Sequence, residues 1–229
     1  MKVNSEVAFL SQQLIKRVLL YVVGLFMLSF GVSLSIYANF GVSPVSSLAY
    51  GLSLITGVSV GATTIFTHII YIIIQMIILK RFDMKYALTQ LIIAFLFGFF
   101  VNATITISTL LLPVAGTIVL QCVYLALSLL LVACGLFIYT NAQYTLMPYD
   151  ELTQVISTTY KMPFGKAKII GDVSNVIIAI ILCLTFLKTM GSIGIGTIVA
   201  AVSIGKILGI VAKKFQPQMD LFLKREELI

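Results

Sequence analysis

The sequence predicts an all-α membrane protein with six transmembrane helices. They form two inverted three-span repeats, each carrying a short proline-initiated half-helix. Three observations predict it. Of the 229 residues, 60% are hydrophobic and 10% charged, and the mean hydropathy is +1.11; a soluble domain carries about 25% charged residues. The apolar residues fall in six runs long enough for the bilayer's hydrocarbon core, which takes about 20 helical residues to cross. Residues 104 positions apart also match without a gap: Gly31, Asn39, Pro44, Gly61 and His68 correspond to Gly135, Gln143, Pro148, Gly165 and Asp172.

The first predicted span covers residues 18–37 and follows Lys16 and Arg17. It is too long for a signal-peptide core and lacks a small-residue cleavage site, so it reads as a span. Residues 44–54 open with Pro44, which a first helical turn tolerates, but are too short to cross. Spans follow at 62–79 and 86–106, completing a first repeat over about 13–108. The second repeat, about 116–215, places spans at 116–139, 169–187 and 193–211 and a half-helix at 148–158. Together they make one transmembrane domain over residues 1–229. Three crossings per repeat is an odd number, so the second copy is upside down relative to the first. Interrupted helices at corresponding positions of such repeats are the sequence pointer to a binding site.

The net charge of +7 lies in small groups between the apolar runs rather than on one stripe. Topology signals are distributed this way, and a nucleic-acid surface is not. With both termini cytoplasmic and six crossings, Lys2, Lys16, Arg17, Lys80, Arg81, Lys85, Lys161, Lys166, Lys168, Lys213, Lys214, Lys224 and Arg225 share the cytoplasmic face. Lys188 faces out and Lys206 lies within a span. The expected location is the cytoplasmic membrane, multi-pass. Cys122, Cys134 and Cys183 lie inside apolar runs with no metal-ligand spacing. No metal or cofactor is expected, and no catalytic motif argues for an enzyme.

Polar residues at membrane depth are costly and usually face protein, water or a ligand. Ser43, Ser46, Ser47 and Tyr50 cluster at the start of the first half-helix, where free N–H groups and the helix dipole attract negative charge. The same serines also serve as a cap or as small packing residues. Asp150 and Glu151 replace Ser46 and Ser47 in the second half-helix, either as dipole partners or as a cation or proton site. His68 and its counterpart Asp172 form a histidine–carboxylate pair suited to proton exchange near neutral pH. Asn175 shares a helix face with Asp172. The structural alternative pairs Asp172 with Lys168 or Lys206. Asn102 is a further amide candidate.

The run GVSLSIYANFGVSPVSSLAYGLSLITGVSVGATT, with GFFVNAT two spans later, resembles the YitT/YczE/YyaS group of small bacterial membrane proteins from about Arg17 to Phe215. The resemblance implies a bacterial cytoplasmic-membrane location and supplies neither substrate nor site residues. Longer members of that group carry a soluble C-terminal domain, whereas this sequence ends soon after its last predicted span, which puts any function seated in that domain in doubt. Three functions remain open. One is a transporter of a small polar or cationic solute, with or without proton coupling. Another is a substrate-binding membrane subunit of a larger assembly, partnered by an ATPase or by further copies of itself. The third is a scaffold or assembly factor that carries no solute.

Overall fold

The computed structural model describes residues 2–81 and 83–223, with side chains from residue 13 onward. Among them are eight α-helices and no strand: α1 (Lys2–Ala38), α2 (Pro44–Thr56), α3 (Val60–Leu79), α4 (Met84–Leu111), α5 (Ile118–Asn141), α6 (Pro148–Thr159), α7 (Phe164–Phe186) and α8 (Ile195–Phe222). Six are long and apolar enough to cross a bilayer: Gln13–Ala38 of α1, then α3, α4, α5, α7 and α8. The protein is a multi-pass membrane protein. Several helices exceed the expected apolar runs, and α8 continues past Pro217 to Phe222, because helical hydrogen bonding persists beyond the hydrocarbon edge. Lys224 and Arg225, counted among the cytoplasmic charges, lie outside the described residues.

At 13 and 12 residues, α2 and α6 are about 18–20 Å long at 1.5 Å per residue, short of the roughly 30 Å core. Proline sets the start of each, since Pro44 and Pro148 occupy the first turn, where the missing N–H would bond to nothing. A left-handed residue ends each segment, Gly57 at φ 71° and Lys161 at φ 50°. The hydroxyl of Ser53 donates to the Val58 carbonyl at 2.6 Å, and that of Ser157 to the Met162 carbonyl at 2.7 Å. The turns leading in also match, with Asn39 at φ 55° and Gln143 at φ 52°. Each of these pairs is 104 residues apart.

α1 and α5 pack closely along the middle of the bundle. A Cβ on Gly31 would lie 2.6 Å from Val132 Cγ2 and 2.8 Å from the Val132 nitrogen, and one on Gly135 would lie 2.6 Å from the Leu28 nitrogen. These glycines let two backbones approach without a hydrophobic drive, which lipid does not supply. Leu25, Val32, Phe97, Val101 and Tyr139 build the largest apolar cluster around that seam. α2 packs against α7, and α6 against α3. The Tyr71 hydroxyl donates to Asn175 Oδ1 at 2.9 Å, tying α3 to α7 across a separation of 104 residues.

Candidate functional site

The starts of α2 and α6 meet at one cavity of about 260 Å³, walled by α1, α3, α4, α5, α7 and α8. Ser43, Pro44 and Ser46 enter it from the first half-helix, and Met147, Tyr149 and Asp150 from the second. Each short helix is held in place by buried polar groups. The Gln75 side-chain amide donates to the Pro148 carbonyl at 2.8 Å, and Gln90 donates to Gln75 Oε1 at 3.0 Å. On the other side the Ser192 hydroxyl donates to the Ser47 carbonyl at 2.8 Å, while the Val42 N–H donates to the Ser192 carbonyl at 3.1 Å. Satisfied polar contacts at this depth fix position, since the alternative is an unpaired group in hydrocarbon.

The ionisable groups lie around the cavity. Lys168 Nζ is 3.5 Å from Asp150 Oδ1 and sits over the Tyr149 ring, 4.8 Å from its centroid. Asp150 Oδ2 accepts from the Tyr139 hydroxyl, and Asp172 Oδ1 accepts from the Tyr149 hydroxyl. Both phenol hydroxyls are donors to carboxylate acceptors. His68 is 3% exposed and stacks on Phe97 with centroids 5.8 Å apart and rings 17° from parallel. Its Nδ1 has no hydrogen-bond partner among the described residues, and the expected His68–Asp172 pair does not form: Asp172 is bonded to Tyr149 instead. Two carboxylates share one ammonium, which pairs directly with Asp150 and acts on Asp172 from further away, so one negative charge stays in excess, and the direct partner of Asp172 is a neutral hydroxyl. The rest of the wall is mostly apolar, with Leu28, Val32, Phe97, Val101, Val132 and Leu136. In that setting an uncompensated carboxylate favours a cation or a proton beside it.

Of the residues singled out from the sequence, Ser43, Ser46, His68, Asp150 and Asp172 line this cavity. The other five lie elsewhere. Ser47 is buried, and its hydroxyl donates to the Pro44 carbonyl at 2.7 Å. Tyr50 lines a smaller cleft of about 190 Å³ beside the loop before α8. Asn102 accepts from the Gly61 N–H at 2.8 Å and donates to the Ser59 hydroxyl at 3.2 Å. Glu151 faces Tyr86 of α4, and Asn175 receives the Tyr71 hydroxyl. Of the alternative partners for Asp172, Lys168 makes its direct ion pair with Asp150 while its charge also acts on Asp172. Sequence reasoning missed Tyr149, Tyr139, Gln75 and Gln90 as parts of the site. Gln75 and Gln90 carried a signal, being amides inside apolar spans. The tyrosines carried none, because an aromatic in a span is ordinary.

A family model described as a family of unknown function, DUF6198, matches residues 15–213. The chain belongs to the DUF6198 family. It is also similar to the uncharacterized protein YyaS of Bacillus subtilis (strain 168), at 29% identity over 195 residues, covering 82% of this chain and 88% of that protein. This supports the YyaS part of the resemblance read from the sequence. No solved structure matches the chain. The DUF6198 match runs from α1 into α8 and contains both half-helices and every cavity residue named above. Neither the family description nor the relative's name assigns an activity.

Proposed function

We propose that this protein is a secondary transporter of a small polar or cationic solute, built from two inverted three-span repeats in the cytoplasmic membrane. One observation carries the reading: two proline-initiated half-helices start at a single central cavity that also holds Asp150, Lys168, Asp172 and His68. Discontinuous helices whose ends meet at a charged site deep in the bundle are how inverted-repeat carriers build a substrate site. The matched turns 104 residues apart support the repeat, as does the contact of Tyr71 with its own counterpart Asn175. Asp172 is the residue that recognises positive charge. His68 and the Asp150–Lys168 pair set the polarity of the site, and the apolar wall takes the solute's hydrocarbon part. Exchange of that cation for a proton on Asp172 would couple transport to pH.

A subunit or scaffold function needs an outward-facing docking surface. Of the small residues of α8 that suit one (Ala200, Ala201, Gly205 and Gly209), the first three also border the cavity, while Ala201, Gly205 and Gly209 are exposed; the charged cavity is what favours the transporter. The test is thermal unfolding of the detergent-purified protein with a panel of organic ammonium ions and polar metabolites, at neutral and acidic pH. A cation at 100 times its dissociation constant should stabilise the wild type by about 2.7 kcal/mol. The effect should fade as acid protonates Asp172 and be absent in Asp172→Asn. Equal stabilisation of the variant by the same cation would remove Asp172 from recognition, and a panel without any effect would count against a solute site.

A further inference from the structure

The two halves of the molecule share their elements but differ in one packing contact. α3 lies tightly along α4, whereas α7 and α8, their counterparts, hardly touch. The difference concentrates at four glycines. A Cβ on Gly61 would collide with the Gly98 carbonyl oxygen, and one on Gly98 would lie 2.6 Å from the Gly61 carbonyl oxygen. Gly165 is the counterpart of Gly61, 104 residues on. Gly205 is the counterpart of Gly98 at the slightly larger offset of 107, which also relates Phe97 to Ile204 and Val101 to Leu208, all four on the cavity wall. Around Gly165 and Gly205 a Cβ would meet nothing within 4 Å. The cavity reaches outward through that gap, with Gly165 and Ile169 on one side and Gly205 and Leu208 on the other. Lys206, exposed beside Gly205, sits where a charge requires water rather than acyl chains.

From these contacts we infer an alternating-access pair of gates: the α3–α4 seam is the closed gate, the α7–α8 gap is the open one, and transport exchanges their packing. This rests on the transporter reading above. The first halves of α3 and α7 start from opposite faces of the bilayer when the repeats are inverted. The seam at Gly61 therefore seals the face opposite the one onto which the gap at Gly165 opens. The open face carries Lys161, Lys166 and Lys168, and is cytoplasmic in the topology read from the charges. In the opposite state Gly165 packs on Gly205 as Gly61 does on Gly98 now, and α3 leaves α4. Packed interfaces switch between discrete arrangements rather than deforming continuously, so two alternative glycine seams suit a two-state rocking motion.

Asn102 makes the two gates unequal. It bonds the Gly61 N–H and the Ser59 hydroxyl across the closed seam, and its counterpart in α8 at the 107 offset is Gly209, which has no side chain to bond with. Asn102 is thus a latch for the state seen here rather than a solute ligand.

Spin-label distances test the exchange without any solute, so the result is independent of whether a ligand for Asp172 has been found. One label pair at the exposed positions Val58 and Leu110 spans the seam, and a second at Phe164 and Ile210 spans the gap, with the three native cysteines replaced. Gly61→Ala forces the seam apart, and Asn102→Ala unlatches it with little steric burden. Both should lengthen the Val58–Leu110 distance and shorten the Phe164–Ile210 distance together. Adding Gly205→Val to Asn102→Ala blocks closure of the gap and should return both distances to their wild-type values. A seam that opens while the gap stays unchanged overturns the exchange. So does an unchanged pair of distances in the folded Asn102→Ala protein, or a Gly205→Val addition that has no effect.

Discussion

At the scale of single residues, the charges of the site are held by neighbours that the chain brings from far away. Asp150 is ringed by the Lys168 ammonium and the Tyr139 hydroxyl, and Asp172 by the Tyr149 hydroxyl. Removing one member of such a set costs more than removing two that answer each other, because the survivor is left poorly solvated. Lys168→Met should therefore destabilise the protein by about 1–3 kcal/mol. The double change Lys168→Met with Asp150→Asn should recover most of the loss, read as thermal unfolding in detergent across the four-protein cycle. Strictly additive losses would mean that the pair is solvated well enough for its partners not to matter. Tyr149→Phe should leave the fold intact and weaken binding of the ammonium ions, since Asp172 then loses the donor that holds its orientation.

At the scale of elements, glycine and proline do most of the placing. Proline starts α2 and α6, and buried amides and a serine pin them beside the cavity. Glycine lets α1 and α5 touch. At Gly31 a side chain would enter the Val132 backbone, which is rigid within α5 and cannot give way as a flexible side chain would. Gly31→Val should cost about 3 kcal/mol or more, at the upper end of overpacking penalties. It should appear as loss of the monodisperse peak on size-exclusion chromatography of the detergent extract. Gly205→Val, in open space, should leave that peak unchanged. A Gly31→Val protein as stable as the wild type would show that the α1–α5 seam can spread freely.

At the scale of the whole molecule, the distribution of lysine and arginine predicts a single orientation. A cysteine placed at Lys166 should be shielded from a membrane-impermeant thiol reagent in intact cells and react after lysis, whereas one at Lys188 should react in both. The opposite pattern would invert the molecule and, with it, the face onto which the α7–α8 gap opens. Identical labelling at both positions would instead mean an even number of crossings between them, against the single passage of α7.

The sequence alone determined the solvent, the number of long helices and the two proline-initiated interruptions. Each is a local property, set by the hydropathy of some twenty consecutive residues or by the fixed φ of one proline. It also marked Ser43, Ser46, His68, Asp150 and Asp172 as expensive residues at membrane depth, and all five line one cavity. It could not separate them from Ser47, Tyr50, Asn102, Glu151 and Asn175, because a polar group in a span is paired either by a solute or by another helix, and only tertiary packing decides which. Asn102 bonds the backbone of α3 across the seam, and Asn175 bonds Tyr71; nothing in their local sequence distinguishes those fates. Of the difference between the two proposed gates, the sequence carries Asn102 against Gly209 but not which of the two glycine seams is packed. Gly61 and Gly165 occupy matched positions, and which glycine is packed depends on how α3 and α7 lean against α4 and α8, a choice made by contacts between distant helices rather than within any one of them.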